Sequence, residues 1–342
     1  MRNACLAVAI VVSVVGGITF AQGPSTLRQA QGRPEPSRGA TPRASAAPGA
    51  TGRPLAQRIV HYDASKNRTS QSVHAGAGPM AYGSMLGSED TDTNLWFLHR
   101  GVIFPKGGIG GHFHNNCEEM FVILDGEAQF TIDGRTSVLK GPAGAPVRMG
   151  HWHAIYNHTD QPVQWMNINV TAIKGWYDAF DLGDARVNVP LDPVPPFMTL
   201  RLDRSLRRPF EALDGGKGTV QARRALDVPV FLGPWGYVDH LLIPPGASTG
   251  PRTDAEIGGF YYVLAGEGTV TVGSETAAIK AHDALPLSFN ETRSFAATGS
   301  APLELMAIGV VKDAERRFQI VGRNPYLPAR GAPPARGAAP GR

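Results

Sequence analysis

An internal repeat is the feature of this 342-residue sequence that most restricts its fold. Residues 95–135 and 238–275 each contain an apolar strand, a turn rich in Pro or Gly, a polar segment and a strand rich in Phe or Tyr. The last strands read FVILDGEAQFTIDGR and YYVLAGEGTVTVGSE, and their alignment places Gly126 on Gly266. Alternating apolar residues between closely spaced Gly turns are typical of antiparallel barrels and sandwiches. The repeat therefore predicts an all-β fold with two tandem barrels.

The N-terminus has the pattern of an export signal. Residues 1–21 contain Arg2, then an uncharged and mostly apolar run, and end in Thr19-Phe20-Ala21. This pattern predicts a signal peptide cleaved after Ala21, with an uncleaved membrane anchor as the alternative. The export signal predicts a periplasmic or secreted protein. No later stretch is long and apolar enough to span a bilayer, so we expect no other membrane contact.

Low-complexity segments flank the repeat. Residues 22–56 and 323–342 consist mostly of Pro, Gly, Ala, Arg and small polar residues, and such segments cannot bury a core. We therefore predict that both are disordered. The remaining boundaries predict one barrel at 57–183, an interdomain linker with a short helix at 184–224, and a second barrel at 225–322.

The charge distribution argues against nucleic acid as a partner. The net charge is +4, but residues 22–56 hold five Arg against one Glu, and residues 323–342 hold four Arg and no acid. The predicted barrels are therefore mildly acidic, which does not suit a nucleic-acid groove. Cys117 is the only cysteine outside the predicted signal, so no internal disulfide is expected, and burial is the favoured interpretation of this thiol.

Metal-ligating side chains concentrate in the first repeat. His112 and His114 are two positions apart, so both rings face one way in a strand, and Glu119 follows five residues later. The segment MGHWHAIYN adds His151 and His153. Three imidazoles and one carboxylate suit one divalent transition metal (Fe, Mn, Ni, Cu, Co or Zn) with positions left for water or substrate.

These segments resemble the two sequence motifs of the cupin superfamily. The first motif is matched by His112, His114, Glu119 and Gly126, and the second by Gly150, His153 and Asn157. The resemblance selects Glu119 over Glu118, because only Glu119 leaves six residues before Gly126. Two turn positions depart from the pattern: Gly107 lies one residue too close to His112, and Arg148 replaces a proline. The resemblance implies two cupin barrels, with His112, His114, Glu119 and His153 as metal ligands.

The second repeat lacks these ligands. Counting back from Gly266 places Arg252, Asp254 and Gly259 at the positions of His112, His114 and Glu119, and Arg293 falls near the position of His153. The resemblance then implies a degenerate barrel, kept as a structural partner or as a ligand pocket. If Arg252 and Arg293 face inward, they are suited to hold an anion.

Three functions remain open from the sequence. The layout is similar to that of quercetinase-like bicupins, which favours a metal-dependent dioxygenase acting on a small aromatic or enol-bearing molecule, with Glu119 as both ligand and proton acceptor. The first alternative is a non-redox lyase, decarboxylase or isomerase, with Arg148 and His99 as candidates for the extra acid or anion clamp. The second is a non-enzymatic binding protein. A small-molecule substrate and a possible homodimer complete the expectations.

Overall fold

The computed structural model describes residues 52–327 and contains two β-barrels. The predicted all-β fold with two tandem barrels is confirmed. The predicted signal peptide, residues 1–51 as a whole and residues 328–342 lie outside the described part of the chain.

Twelve short strands make up the first half of the described chain. They are β1 (Val60–His61), β2 (Arg68–Gln71), β3 (Pro79–Gly87), β4 (Leu95–Ile103), β5 (Gly108–Phe113), β6 (Cys117–Ile123), β7 (Glu127–Ile132), β8 (Arg135–Lys140), β9 (Ala143–Val147), β10 (His153–Tyr156), β11 (Val163–Thr171) and β12 (Phe180–Asp181). One helical turn, α1 (Leu55–Arg58), precedes them.

Eleven strands make up the second half. They are β13 (Leu200–Arg201), β14 (Arg208–Glu211), β15 (Thr219–Leu226), β16 (Trp235–Ile243), β17 (Arg252–Thr253), β18 (Ile257–Ala265), β19 (Glu267–Val272), β20 (Glu275–Lys280), β21 (Asp283–Leu287), β22 (Thr292–Ala297) and β23 (Leu303–Val311). Helix α2 (Arg317–Val321) follows them.

Each barrel is formed by a large sheet facing a small one, and all strand pairs are antiparallel. In the first barrel the large sheet has the order β13-β9-β6-β11-β4-β3-β2 and the small sheet β12-β5-β10-β7-β8. In the second barrel the orders are β1-β21-β18-β23-β16-β15-β14 and β17-β22-β19-β20. The segments that the sequence alignment made equivalent begin in the large sheets, in β6 and β18, and continue into the small sheets, in β7 and β19.

The structural repeat is longer than the repeat detected in the sequence. Equivalent strands begin 140 positions apart, as at Leu95 in β4 and Trp235 in β16. The offset already holds at two upstream 3₁₀ turns, where Asp63 accepts a hydrogen bond from Ser65 N and Asp203 accepts one from Ser205 N. These Asp–x–Ser caps have the same local chemistry, so each turn forms in the same way.

The predicted linker at 184–224 is wrong in its second part. Residues 200–224 contain β13, β14 and most of β15, and their only helical segments are 3₁₀ turns at Arg204–Leu206 and Leu213–Gly215. In β15 every second residue is buried, which is the pattern of a strand with one face on the core. The charged side chains Arg223 and Arg224 masked this alternation in the sequence.

The predicted outer boundaries also shift. Helix α1 begins at Leu55, inside the segment predicted to be disordered, and Leu55 is buried in the core of the second barrel. At the other end, Tyr326 is buried in the same core and its ring packs edge-on against Phe210 at 5.5 Å. Single apolar residues in Pro- and Arg-rich surroundings give too weak a pattern to reveal this packing.

The two halves exchange short strands. β1 precedes the first barrel in sequence but pairs with β21 of the second, with Val60 opposite Ala284. β13 precedes the second barrel and pairs with β9 of the first, with Leu200 opposite Gly144. We call residues 55–61 the N-terminal arm. Its Arg58 is buried and donates hydrogen bonds to both carboxylate oxygens of Glu291 and to Pro286 O.

A continuous apolar layer joins the two large sheets. Met120 and Val122 of β6 lie in one buried cluster with Phe260 and Tyr262 of β18. The alternate residues Phe121 and Ile123 point the other way and belong to a separate core inside the first barrel. β6 is therefore buried on both faces, which explains its nearly unbroken apolar sequence. Within the described residues, no helix is long and apolar enough to cross a membrane.

Candidate metal centre

The four predicted ligands meet inside the first barrel. His112 lies on β5, His114 directly follows this strand, Glu119 lies on β6 and His153 at the start of β10. One nitrogen or oxygen atom from each side chain lies within 4.8 Å of the corresponding atom of every other. The four residues are 1–3% exposed. The structure thus joins two neighbouring strands of the small sheet to one strand of the large sheet at a single point.

The three imidazoles present the same ring nitrogen. The Nε2 atoms of His112 and His114 lie 3.3 Å from Oε2 of Glu119, and that of His153 lies 2.5 Å from it. On the far side of the rings, His112 Nδ1 donates to Gly110 O at 2.8 Å and His114 Nδ1 donates to Asp178 O. These carbonyls accept the Nδ1 protons and direct each Nε2 towards Glu119. Burial acts to lower the pKa of His114, but the charge of Glu119 outweighs it and raises this pKa to about 11, so a metal must displace a proton from this ring. His153 Nδ1 has no hydrogen-bond partner among the described residues.

The glycine-rich sequence of β5 brings the first two ligands into place. β5 reads GIGGHF, and a Cβ atom on Gly110 would lie 2.2 Å from the carbonyl oxygen of His74. A larger residue would therefore push the segment 73–75 away from β5. The pairing of β5 with β10 then sets His112 directly opposite His153.

The donor set fits a divalent transition metal. Three Nε2 atoms and one carboxylate oxygen converge without an intervening Lys or Arg, and two of the imidazoles are oriented by backbone carbonyls as metal-bound imidazoles commonly are. A structural zinc site would more often use cysteine. The described residues therefore contain a His/Glu metal-binding site, although several metals share this preference.

Burial and mutual charge set the protonation of the cluster. Burial lowers the pKa of His112 to about 4, so its ring is neutral at neutral pH. Burial acts to raise the pKa of Glu119, but the neighbouring histidines outweigh it and hold this pKa well below its usual range. A neutral imidazole and an ionised carboxylate are the states in which both residues bind metals.

The adjacent carboxylate, Glu118, points away from the centre. Its two oxygens accept hydrogen bonds of 2.8 Å from the backbone N–H groups of Leu232 and Gly233, across the layer between the barrels. Strand alternation places neighbouring side chains on opposite faces, so one residue of the Glu118–Glu119 pair serves the metal centre and the other the interface.

Three other residues that the sequence singled out lie away from the ligands. Arg148 donates to the carbonyl oxygens of Val230 and Pro229, so it does not clamp an anion in the barrel. His151 is half exposed and contacts Asp133. Asn157 donates from Nδ2 to three backbone carbonyls, at Ile103, Phe104 and Gln161, and thereby fixes the turn after β10.

His99 and Cys117 lie close to the site. His99 stacks on Phe97 at 4.0 Å between ring centres and is opposite Asn167 in the sheet, which is opposite Phe121 in turn. Phe121 follows Glu119 on the inner face, so His99 faces the barrel interior one row from the metal ligand. Cys117 is buried, as expected, and its sulfur accepts a hydrogen bond from Asn169. It groups with His114 and Asp178 on the Nδ1 side of the ring, away from the other ligands.

The segment after β11 adds residues that the sequence did not reveal. The Tyr177 ring lies 5.4 Å from that of His114, stacks on Trp96 and contacts Phe97. Asp178 supplies the carbonyl that orients His114, and its carboxylate accepts from the backbone N–H groups of Asn115 and Asn116. The motif spacing gives no information on this segment, since only the chain path over the barrel brings it to the ligands.

His74 is another residue next to the metal ligands that the sequence did not reveal. Its ring stacks on His112 with 3.9 Å between centres and 8° between planes, and its Nδ1 pairs with Asp181 of β12. Burial lowers the pKa of His74 to about 4, so the ring is neutral at neutral pH. This stack supports the plane of His112 from outside the donor set.

The comparisons agree with this arrangement. The family model of the cupin domain matches residues 101–169 and 239–309, one segment in each barrel. The chain is a two-domain cupin. No curated protein matches this bicupin.

Solved structures share its fold. Oxalate decarboxylase from Bacillus subtilis at pH 4.6 is 16% identical, with a TM-score of 0.51 over 75% of the bicupin and 76% of its own chain. The formate complex of Lactobacillus farciminis oxalate decarboxylase is 15% identical, with a TM-score of 0.52 over 74% and 86%. A further Bacillus subtilis oxalate decarboxylase structure, concerned with Mn(II) centres, is 16% identical, with a TM-score of 0.50 over 75% and 77%. At these identities the likeness shows the fold alone.

The second barrel of the bicupin repeats the geometry without the ligands. Arg252 lies opposite Arg293 across β17 and β22, as His112 lies opposite His153 across β5 and β10. Gly259 takes the place of Glu119 with φ +129°, and a Cβ atom there would lie 2.0 Å from Ile308 O. The backbone at this position therefore leaves no room for a carboxylate side chain.

Proposed function

We propose that the bicupin is a metal-dependent lyase of the decarboxylase kind, acting on a small organic acid that binds beside His112, His114, Glu119 and His153. The observation that carries the proposal is that two titratable side chains lie beside the four buried donors: the Tyr177 phenol, which can donate a proton, and the neutral His99 ring, which can accept one. Breaking a carbon–carbon bond next to a carboxylate leaves a carbanion that must be protonated, so such a reaction needs a proton donor close to the metal.

The inner face of the large sheet brings these groups together. In one row across the sheet Phe97 lies opposite Asn169, which lies opposite Glu119. In the next row His99 lies opposite Asn167, which lies opposite Phe121. The Oδ1 atoms of both asparagines are buried without a hydrogen-bond partner among the described residues. A ligand with hydroxyl or carboxyl groups would supply the donors that these oxygens lack.

The acid–base properties of His99 and Tyr177 suit proton transfer. Burial lowers the pKa of His99 to about 4, so the ring is neutral and able to accept a proton. Burial, reinforced by the Glu119 charge, raises the pKa of Tyr177, so the phenol keeps its proton. A divalent metal bound by the four ligands would act as a Lewis acid that draws electron density from a substrate oxygen.

The fold likeness to oxalate decarboxylases supports the choice of reaction class and makes manganese the first metal to test. The charge of the site restricts the substrate. Among the described residues, no Lys or Arg pairs with any of the four ligands. A second carboxylate would have no cation other than the metal, so we infer a monoanion rather than a dianion as substrate.

A second candidate is a dioxygenase for an aromatic or enol-bearing molecule. The rings of Phe97, Phe121 and Tyr177 form an aromatic wall beside the ligands, which suits a flat substrate. The two candidates differ in oxygen demand, because a dioxygenase consumes one O₂ for each substrate and a decarboxylase releases CO₂ without net oxygen consumption.

The experiment measures both gases with one protein. The purified bicupin is loaded separately with Mn, Fe, Co, Ni, Cu and Zn, its metal content is assayed, and CO₂ release and O₂ uptake are followed with small carboxylic acids, phenols and flavonols. We expect CO₂ without net O₂ uptake. Stoichiometric O₂ uptake would select the dioxygenase, and neither gas with any metal would leave a binding protein and overturn the proposal.

Substitutions of His99 and Tyr177 test whether these residues take part in the reaction. We expect His99→Gln and Tyr177→Phe to reduce turnover by at least about 100-fold with metal content unchanged, because general acid–base catalysis contributes about this much. His151→Gln is the matched control, since His151 is half exposed and outside the ligand set. Equal turnover in all three variants would remove His99 and Tyr177 from the mechanism.

A further inference from the structure

The second barrel holds a cluster of charges at the position where the first barrel holds its ligands. Arg252 and Arg293 lie opposite each other across β17 and β22, and both donate to the carboxylate of Asp254. We call these three residues the arginine cluster. Arg293 and Asp254 have side chains only 6% and 17% exposed, so the cluster is largely withdrawn from water.

One guanidinium of the cluster has donor capacity to spare. Each nitrogen of Arg293 has a partner: Nε donates to the Tyr261 hydroxyl, Nη1 to Arg252 O and Nη2 to Asp254. Arg252 donates to Asp254 from Nε and Nη2, but its Nη1 has no hydrogen-bond partner within residues 52–327. The Arg252 side chain is 27% exposed and lines a cavity, so this Nη1 group can meet water there and is available to an acceptor that enters.

The arginine cluster also carries an excess positive charge. Burial acts to raise the pKa of Asp254, but Arg293 and Arg252 outweigh it and lower this pKa, so the carboxyl is ionised. Two cations therefore share one anion. The neighbouring Arg224 has its own carboxylate, Asp239, at 2.8 Å, and this second pair adds no net charge. Asp214 lies at the rim of the cavity with an exposed side chain, where water screens it.

A cavity leads from solvent to the cluster. It is lined by Arg252, Arg293, Tyr261, Tyr326 and Thr249, and the Arg252 side chain is 27% exposed. The enclosed space is about that of one water molecule, so a ligand must be no larger than a few heavy atoms and must extend towards solvent. Tyr261 and Tyr326 line this space, and the Tyr261 hydroxyl accepts a hydrogen bond from Arg293 Nε.

We propose that the second barrel binds a small monocarboxylate, of the size of formate or acetate, against Arg252 and the tyrosine hydroxyls. One negative charge balances the excess positive charge of the arginine cluster, and a carboxylate oxygen accepts the unused N–H of Arg252. A planar anion in a largely desolvated site gains more from these charge-assisted hydrogen bonds than it would at the surface. A metal ion has no place here, because both arginines are cationic and Gly259 supplies no carboxylate.

Binding is tested with sodium acetate and sodium formate as probes, against sodium chloride at equal ionic strength. Isothermal titration calorimetry and the melting temperature are measured on the unaltered protein and on His153→Ala, in which the first barrel lacks a metal ligand. We expect the second barrel to bind one carboxylate per chain with the same affinity in both proteins, and any additional binding at the metal centre to be confined to the unaltered protein. This comparison separates the second barrel from the metal centre, so the result is independent of the proposed lyase activity.

Variants of the second barrel identify the contacts. We expect Arg252→Gln to weaken acetate binding by about tenfold or more, and Tyr261→Phe, which keeps every charge, to weaken it less. Arg316→Gln is the matched control, because Arg316 is half exposed and pairs with Glu256 on the surface of the same barrel. Circular dichroism of each variant verifies the fold.

Two results would overturn the proposal. One is a response of the unaltered protein to acetate and formate no larger than its response to chloride. The other is unchanged acetate affinity in Arg252→Gln, or, if that variant does not fold, unchanged affinity in both Arg252→Lys and Tyr261→Phe.

Discussion

At the scale of residues, the two barrels differ at four equivalent positions. His112, His114, Glu119 and His153 become Arg252, Asp254, Gly259 and Arg293, while the strand register around them is kept. The register depends on backbone pairing and apolar packing, so it does not require the metal ligands. Side-chain chemistry at these positions therefore decides which barrel holds a metal.

Removal of one imidazole tests the ligand set. We expect His153→Ala to lower metal affinity by more than about 100-fold, because a lost ligand costs at least as much as a lost partner behind a ligand. Metal content per chain after dialysis is the measurement. His151→Gln, two residues away and half exposed, should retain the metal. Full metal content in both His153→Ala and His112→Ala would show that the ligand assignment is wrong.

The missing carboxylate of the second barrel cannot be restored by substitution. We expect Gly259→Glu to destabilise the protein by about 1–3 kcal/mol, because this residue has φ +129° and a Cβ atom would lie 2.0 Å from Ile308 O. The free energy of unfolding and the metal content are measured together. A second equivalent of bound metal in this variant would contradict the expectation.

Sequence reasoning reaches the metal ligands but not the residues behind them. His112, His114, Glu119 and His153 follow from the spacing of the two cupin motifs, and the six residues before Gly126 select Glu119 over Glu118. Tyr177, in contrast, approaches through a segment whose path depends on the folded barrel. Arg148 was a candidate anion clamp on composition alone, but its guanidinium is engaged by two carbonyls of the other half.

At the scale of elements, β6 serves two cores at once. Its inner face carries Glu119 and its outer face carries Glu118, which joins the first barrel to Leu232 and Gly233. Strand alternation is therefore the reason that a metal ligand and an interface contact are sequence neighbours.

Loss of this contact should weaken the interface and spare the metal. We expect Glu118→Ala to lower the free energy of unfolding by about 2–4 kcal/mol, because two N–H groups lose their acceptor. Urea unfolding measures the effect, and metal content should not change. Glu127→Ala, on a half-exposed carboxylate, is the control. Equal stability of both variants would mean that Glu118 does not stabilise the interface.

The segment before the second barrel is held by Glu304 of β23. This buried carboxylate contacts Arg204, Arg207 and His240. Burial acts to raise its pKa, but hydrogen bonds from His240 and Arg204 outweigh it and lower the pKa to about 2. Since the folded pKa is below the usual value of 4.5, this carboxylate stabilises the protein above pH 4.5, and the contribution is lost as the pH falls from 4.5 towards 2.

The contribution of Glu304 should be visible in the dependence of the free energy of unfolding on pH below 4.5. We expect the Glu304 contribution, about 3 kcal/mol, to disappear over this window, so that Glu304→Gln is less stable at pH 7 and less sensitive to acid. Unfolding free energies at several pH values give the slope. Glu267→Gln, on an exposed carboxylate, should keep the slope of the unaltered protein.

Strand prediction succeeded where the two faces of a strand differ in composition. The aromatic segments 121–135 and 261–275 show plain alternation, and in the structure they contain the ends of β6 and β18 and the whole of β7 and β19. The segment 200–224 was assigned to a linker because Arg223 and Arg224 dilute the apolar pattern of β15. Arg224 is nevertheless buried, and its guanidinium is neutralised by Asp239. A buried ion pair of this kind is invisible to a periodicity argument.

At the scale of the whole molecule, the stability of each barrel depends on chain from the other half. The N-terminal arm precedes the first barrel in sequence, yet Leu55 lies in the core of the second and Arg58 pairs with Glu291 there. Two tandem barrels were predictable from the repeat. The exchange was not, because a two-residue strand carries no sequence signal of its partner.

Substitution in the arm should therefore act at a distance in sequence. We expect Arg58→Ala to destabilise the second barrel by about 3–5 kcal/mol, because it leaves the buried Glu291 carboxylate without its cation. Hydrogen exchange should accelerate in residues 257–297 before it does in 79–171. Arg53→Ala, which removes a half-exposed ion pair, is the control. Faster exchange confined to 79–171 would contradict this assignment of the arm.

The exchanged strands β1 and β13 also give the molecule an approximate two-fold symmetry. Two identical subunits that traded such strands would form a closed, domain-swapped dimer, and every change in one subunit would be copied in the other. In a single polypeptide the strands are exchanged between two halves whose sequences can change independently. One half is thereby free to keep a metal while the other diverges into an arginine-lined pocket, and neither loses the strand that its neighbour provides.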